Sequence, residues 1–214
     1  KKEFEISRME ESLKETIGSK VKVVGFRTPG WDVDEETIKI LEKKNYLYDS
    51  SILPSFLIPL KILSLKIFAR KKVASNSCGR ISYGLAPLVP YHPSQKKIYT
   101  KGPLSIMEWP IPSFPIIRYP IFGTTLFITG SKLFEKGLNH YHKKEYPFMF
   151  ELHGVDLLKI KEDNPPKEIS SIKHPAIKLS YEKREKLIEK AIIQMKKKFE
   201  ILPAKEVVKS FQKP

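Results

Sequence analysis

The stretch Val21-Lys22-Val23-Val24-Gly25-Phe26-Arg27-Thr28-Pro29-Gly30-Trp31 decides the fold class. Val21 to Phe26 is β-branched and apolar, as in a short buried strand, and Thr28-Pro29-Gly30 is turn chemistry. Upstream, Ile6, Met9, Leu13 and Ile17 recur at helical spacing and Gly18 stops the run, so the spacing predicts an amphipathic helix over 5–17. Downstream, Asp34 is placed to cap a second helix. Glu35 and Glu36 stand in its first turn, Ile38 and Leu41 on its inner face, and its end falls near Asn45. Tyr46 to Tyr48 reads as the next strand. Helix, strand, helix, strand is the alternation of a parallel α/β architecture.

The rest of the chain is less regular. Residues 52–69 (ILPSFLIPLKILSLKIFA) are apolar but contain Pro54, Pro59, Lys61 and Lys66, which disfavours a transmembrane span. Two readings fit: an irregular buried cap, or an apolar segment touching a membrane surface through 52–72, which ends in Arg70-Lys71-Lys72. From Ser75 to Pro120 the composition is that of long ordered loops. Residues 52–120 therefore read as a loop-rich insertion or cap, with short strands expected at Leu104–Trp109 and, beyond it, Thr124–Ile128. Pro147-Phe148-Met149-Phe150-Glu151-Leu152 reads as a strand feeding His153. A basic amphipathic helix over 181–198, a strand at 199–202 and a helix near 204–211 complete a helix–strand–helix ending.

Composition narrows the function classes. At 214 residues with 41% hydrophobic and 11% aromatic side chains, the chain can bury a substantial core. One cysteine, Cys78, excludes a disulfide framework and a cysteine-based zinc cluster. The net charge of +15 favours anionic partners, although Lys alternating with Glu on helical faces also yields such a balance. No ribonucleoprotein aromatic motif, zinc finger or helix-turn-helix pattern is visible, so a nucleic-acid partner is not expected. The opening Lys1-Lys2-Glu3-Phe4 carries no signal-peptide pattern and no initiating Met; a cytoplasmic or a membrane-associated location both fit.

Three loops follow apolar runs and carry groups with chemistry. Arg27 precedes Pro29-Gly30, where the Pro sets a turn and the Gly lets a backbone N–H approach a ligand. The guanidinium there suits a bidentate pair with a carboxylate, or simply begins a surface loop. Trp31 fits either a wall of a sugar-binding groove or the core. Asp49, followed by Ser50-Ser51, fits an orienting partner of a histidine or the cap of a turn. His153, with Asp156 three residues on, fits a general acid or a satisfied core histidine. His140 and His142 flank Tyr141 in a lysine-rich helix end or loop, a poor setting for metal. His92 shows no partner, and His174 falls in a polar linker.

Taken together, these residues resemble the polysaccharide deacetylase family, the NodB-homology or carbohydrate esterase family 4 domain. Phe26-Arg27-Thr28-Pro29-Gly30-Trp31, the helix from Asp34 and Tyr48-Asp49-Ser50-Ser51 reproduce the family's order and spacing. Tyr48 to Pro54 and Glu108-Trp109-Pro110 look like the subgroup acting on exported or lipid-linked glycans. Phe150-Glu151-Leu152-His153-Gly154-Val155-Asp156 looks like the final motif. The resemblance implies a distorted (β/α) barrel of the glycoside hydrolase/deacetylase type, here incomplete at its N-terminal side. It also implies a hydrolase that removes an N-acetyl or N-formyl group from a glycan or lipid-linked sugar.

In that family a divalent metal, here expected to be zinc or cobalt, is held by one Asp and two His. Its Thr-Phe-Asp-Asp run and His-Ser/Thr-x-x-His pair are absent from this sequence, so the ligands are not expected in this chain. Residues 1–214 are accordingly expected to be the C-terminal portion of a deacetylase-like domain. The resemblance makes His153 the acid, Asp49 the residue that tunes it and Arg27 the residue that holds the base. It also makes the Gly30 N–H an oxyanion donor and places Pro29, Gly30 and Trp31 in the substrate groove. The alternative is a non-catalytic carbohydrate- or polyanion-binding remnant of the same fold. This chain departs from the family in having Gly30 where an aromatic is common and Leu-His in place of Leu-x-His.

Overall fold

A helix that buries one residue must be held by something besides apolar packing, and α1 (Lys2–Ile17), which buries only Ile6, is held by charge. Glu10 accepts hydrogen bonds from Lys44 Nζ (2.8 Å) and the Tyr46 hydroxyl (2.7 Å), Lys43 pairs with Glu3 (3.1 Å), and Lys2 reaches Asp34. Asp34 in turn caps α2 (Glu35–Lys43) by accepting from the Thr37 N–H (2.9 Å) and hydroxyl (2.7 Å). Thr37, Ile38 and Leu41 turn inward, and the helix stops at Asn45, whose φ of 59° breaks the helical path. The cap, the inner face and the stop all stand where the spacing predicts.

The computed structural model describes residues 1–57, 80–166 and 174–211. Residues 58–72 of the membrane-surface expectation, and Cys78, lie outside these. The described chain is α/β, with strands β1 (Gly25–Phe26), β2 (Tyr48–Asp49) and β3 (Met107–Glu108) forming a parallel sheet in that order. The register pairs Gly25 with Tyr48 and Tyr48 with Met107; one step on, it pairs Phe26 with Asp49 and Asp49 with Glu108. The strands are shorter than expected: only the last two residues of Val21–Phe26 pair, and only Met107–Glu108 of Leu104–Trp109.

The chain divides into two compact units, residues 1–110 with 202–214, and residues 111–201. The first unit holds the sheet, α1, α2 and a terminal helix at Ala204–Phe211. Its core is built on Val33, Ile38, Leu41, Ile52, Tyr83 and Ile98. The Tyr83 hydroxyl, deep in this core, donates to the Val33 carbonyl (2.6 Å). The second unit is helical: α3 (Gly123–Thr129), α4 (Ser131–Lys143), α5 (Ile160–Asp163) and α6 (Tyr181–Lys196). Its core joins Ile121, Leu126, Phe134, Leu138, Tyr141, Ala191 and Met195.

Three further expected strands are absent. Thr124–Ile128 belongs to α3. Its β-branched apolar run is compatible with either element, and the helix wins because the Phe122 N–H donates to Thr125 Oγ1 (3.0 Å) while Leu126 N–H returns to the Phe122 carbonyl (2.9 Å). Residues 147–152 run without strand pairing. Phe148 and Phe150 pack edge-on against Phe134 at 6.1 and 5.3 Å, so alternate side chains are half-buried against an aromatic ring rather than in a sheet. At 199–202, Phe199 stacks on Phe148 at 6.0 Å and the backbone again forms no strand. Among the described residues no helix is long and apolar enough to cross a membrane.

Candidate functional site

Each unit gathers its own set of polar groups. In the first, the parallel register sets Asp49 beside Glu108 at the carboxyl ends of β2 and β3, the edge where open α/β sheets bind ligands. Both are buried, Asp49 completely. Ser51 donates to Asp49 through its hydroxyl (2.7 Å) and N–H (3.1 Å), which caps the turn, and the Ile52 N–H donates to Glu108 Oε1 (3.0 Å). Burial, then the charge of Asp49 and a hydrogen bond shared with it, push the Glu108 carboxyl well above the ordinary range. Burial also raises Asp49, against the hydrogen bonds it accepts from Glu108 and Ser51. Two adjacent buried carboxyls cannot both ionise cheaply, so the pair carries a proton on Glu108 and a charge on Asp49.

Arg27 supplies the compensating positive charge. Its Nε donates to the Ser50 carbonyl (2.7 Å) and its Nη2 to Ser50 Oγ (2.7 Å), and Ser50 Oγ donates to the Trp109 carbonyl (2.7 Å). The Thr28 N–H reaches Ser51 Oγ (2.8 Å). Arg27 thereby ties the ends of the strands together. Pro29, Gly30 and Trp31 form a 3-10 turn beside it, with Pro29 and Gly30 exposed and Trp31 half-buried. Gly30 has φ 65°, natural for glycine, but Trp31 has φ 57°, a conformation that costs an ordinary residue about 1–2 kcal/mol. Thr28 and Pro29, with Lys2, Ile6, Met9 and Phe26, line a cleft of about 430 Å³.

In the second unit a 3-10 turn, Gly154–Asp156, carries the other set. The Arg184 side chain, only 3% exposed, donates to the carbonyls of Val155 (3.0 Å), Asp156 (2.9 Å) and Leu158 (2.6 Å), locking this turn to α6. The His153 N–H donates to Asp156 Oδ2 (2.8 Å), and His153 Nε2 lies 3.3 Å from Glu151 Oε1. The imidazole is 39% exposed. Asp156 is fully buried and stands between two imidazoles, with Oδ2 3.8 Å from His153 Nδ1 and Oδ1 3.8 Å from His174 Nδ1. Gly123 of α3 is what lets the chain come so near. A Cβ there would meet Leu152 Cδ2 at 2.7 Å and Asp156 Oδ2 at 3.0 Å.

The residues singled out in sequence thus fall into two groups: Arg27, Pro29, Gly30, Trp31 and Asp49 in the first unit, His153 in the second. Glu108, a buried partner of Asp49, was visible only as part of Glu108-Trp109-Pro110. In the sequence His174 falls in a polar linker. It stands at the start of a 3-10 turn, with its Nε2 3.1 Å from Thr124 Oγ1, and burial lowers its pKa against the pull of Asp156. His92 does have a partner, the Ile106 carbonyl, 3.2 Å from its Nδ1. His140 and His142 lie in the last turn of α4, with His142 against the Phe199 ring at 5.7 Å. Among the described residues, the group that could hold a metal ion is His153, Asp156 and His174. Compared with family models, curated proteins and solved structures, the chain finds no match in any of the three.

Proposed function

We propose that this chain forms part of a hydrolase that removes an N-acyl group, acetyl or formyl, from a glycan or lipid-linked sugar. The observation that carries this reading is His153. It is a partly open imidazole held in place by its own N–H, with carboxylates 3.3 and 3.8 Å from its two ring nitrogens. Such carboxylates stabilise a positive charge on the ring, and a protonated ring with one face open can hand its proton to a departing amine nitrogen as the C–N bond breaks. The parallel strand ends with Arg27 and Asp49 fit the wall of a distorted (β/α) barrel. The strained Pro29-Gly30-Trp31 turn fits a loop whose shape serves a sugar.

The family that this chain resembles uses a divalent metal, zinc or cobalt by expectation, to activate the attacking water. Its two ligand motifs are not in this sequence, and no residue here takes their place in that order. No step is therefore routed through that metal. What this chain contributes is a proton at His153 and a fixed arginine–carboxyl cluster at the strand ends, and the reaction belongs to a protein that also carries the missing ligands. The test is acetate or formate release from N-acylated glycans by such a full-length protein supplied with zinc or cobalt. His153→Ala should cut the rate by about 10²–10⁴. Release at the wild-type rate would remove His153 from the acid role, and glycan binding without release in the wild type would favour a binding remnant.

A further inference from the structure

We infer that His153, Asp156 and His174 form a binding site for a zinc-class divalent cation, separate from the metal the deacylase reading requires; an ion bound there takes the Nδ1 lone pair of His153, so the ring serves as the acid of that reading only while the site is empty. The three side chains offer one ligand atom each, all within 4.8 Å of one another. The Asp156 oxygens stand 3.8 Å from the two Nδ1 atoms, too far for hydrogen bonds. With bonds of about 2.0–2.2 Å, donors around a tetrahedral zinc lie roughly 3.3–3.5 Å apart, so the two Asp156–imidazole pairs need contract by only a fraction of an ångström, and the remaining pair closes from within 4.8 Å.

The second observation is Asp156 Oδ1, an oxygen of a fully buried carboxylate that has no hydrogen-bond partner. A buried acceptor left in this state is costly, and a cation between the two imidazoles would satisfy it. The outer groups fit as well. Both rings turn Nδ1 towards Asp156 and Nε2 away, to Glu151 from His153 and to Thr124 from His174. A histidine that ligates through one nitrogen ordinarily donates from the other to such a group. His174 Nδ1 accepts a long hydrogen bond from the Ala176 N–H at 3.3 Å, which marks it as the unprotonated nitrogen of the ring, and a bound cation would displace that bond. Two imidazole nitrogens and one carboxylate suit zinc or cobalt over calcium or magnesium, which prefer all-oxygen sites.

The test is titration of the metal-free chain with Co²⁺, followed by visible absorption, and with Zn²⁺, followed by calorimetry. The expected result is one equivalent bound with tetrahedral cobalt bands. Thr124→Ala should weaken it about 10- to 100-fold. His174→Ala and His174→Gln should abolish the bands, while the doubly substituted His140→Ala, His142→Ala protein binds as the wild type does. Circular dichroism of each variant separates loss of the site from loss of the fold. Failure of the wild type to bind, or equal binding by a folded His174→Gln variant, would overturn the proposal. The deacylase reading fails differently, through absent acyl release with the cobalt titration unaltered.

Discussion

Glu108 shows how one residue acquires a protonation state from its position in a sheet. In isolation it would be a carboxylate; beside Asp49 and out of water, it is held as the acid. Its folded pKa lies above the unfolded value of about 4.5, so the folded state binds the extra proton. The stability this contributes is complete below that value and is lost as pH rises through the raised one. Gln at this position stays neutral, can still donate to Asp49 and can still accept from Ile52. Glu108→Gln should therefore lose less stability than the wild type as pH rises above about 5, read as urea midpoints. Identical pH slopes would show that Glu108 is ionised in the fold. Glu108→Ala should instead cost about 3 kcal/mol, because it orphans the Ile52 N–H and opens a cavity.

Among the elements, α2 was the most legible in sequence, and α3 the least. Asp34, Glu35, Ile38, Leu41 and Asn45 all act within a few residues of one another, so cap, inner face and stop could be read along the chain. In α3 the same local evidence pointed to a strand, because Thr, Ile and Phe favour both elements when buried; a single Thr125 hydroxyl bonded to Phe122 tipped it. Asp34 also joins α1 to α2. Partial burial raises its pKa, but the hydrogen bond from Lys2, and then those from Thr37, bring it down to about 2. Because that value lies below the unfolded 3.8, the stabilisation is present above the unfolded value and is lost as pH falls towards 2. Asn caps a helix about as well as Asp. Asp34→Asn should therefore keep α2 while flattening the acid limb between about pH 4 and pH 2, measured by circular dichroism. An unchanged acid limb would mean that Lys2 does not pair with Asp34 in solution.

At the scale of the whole molecule, the two units have separate cores, one around Leu41 and Tyr83, the other around Leu138 and Tyr141. Leu41 and Leu138 are both fully buried. Leu41→Ala and Leu138→Ala should each cost about 2–5 kcal/mol. Each should lower a different transition in a calorimetric scan, and one transition shifted equally by both would show that the cores melt together. By itself the sequence determined the α/β class, the capped and periodic helices, and the residue types available for chemistry, because those depend on neighbours a few positions away. Only the tertiary structure decided that Asp49 meets Glu108, that Arg27 ties the strand ends, and that His174 joins Asp156 and His153. Those meetings depend on sheet register and on loops folding back across dozens of residues. Burial then resets charge and hydrogen bonding, and no local pattern along the chain encodes that outcome.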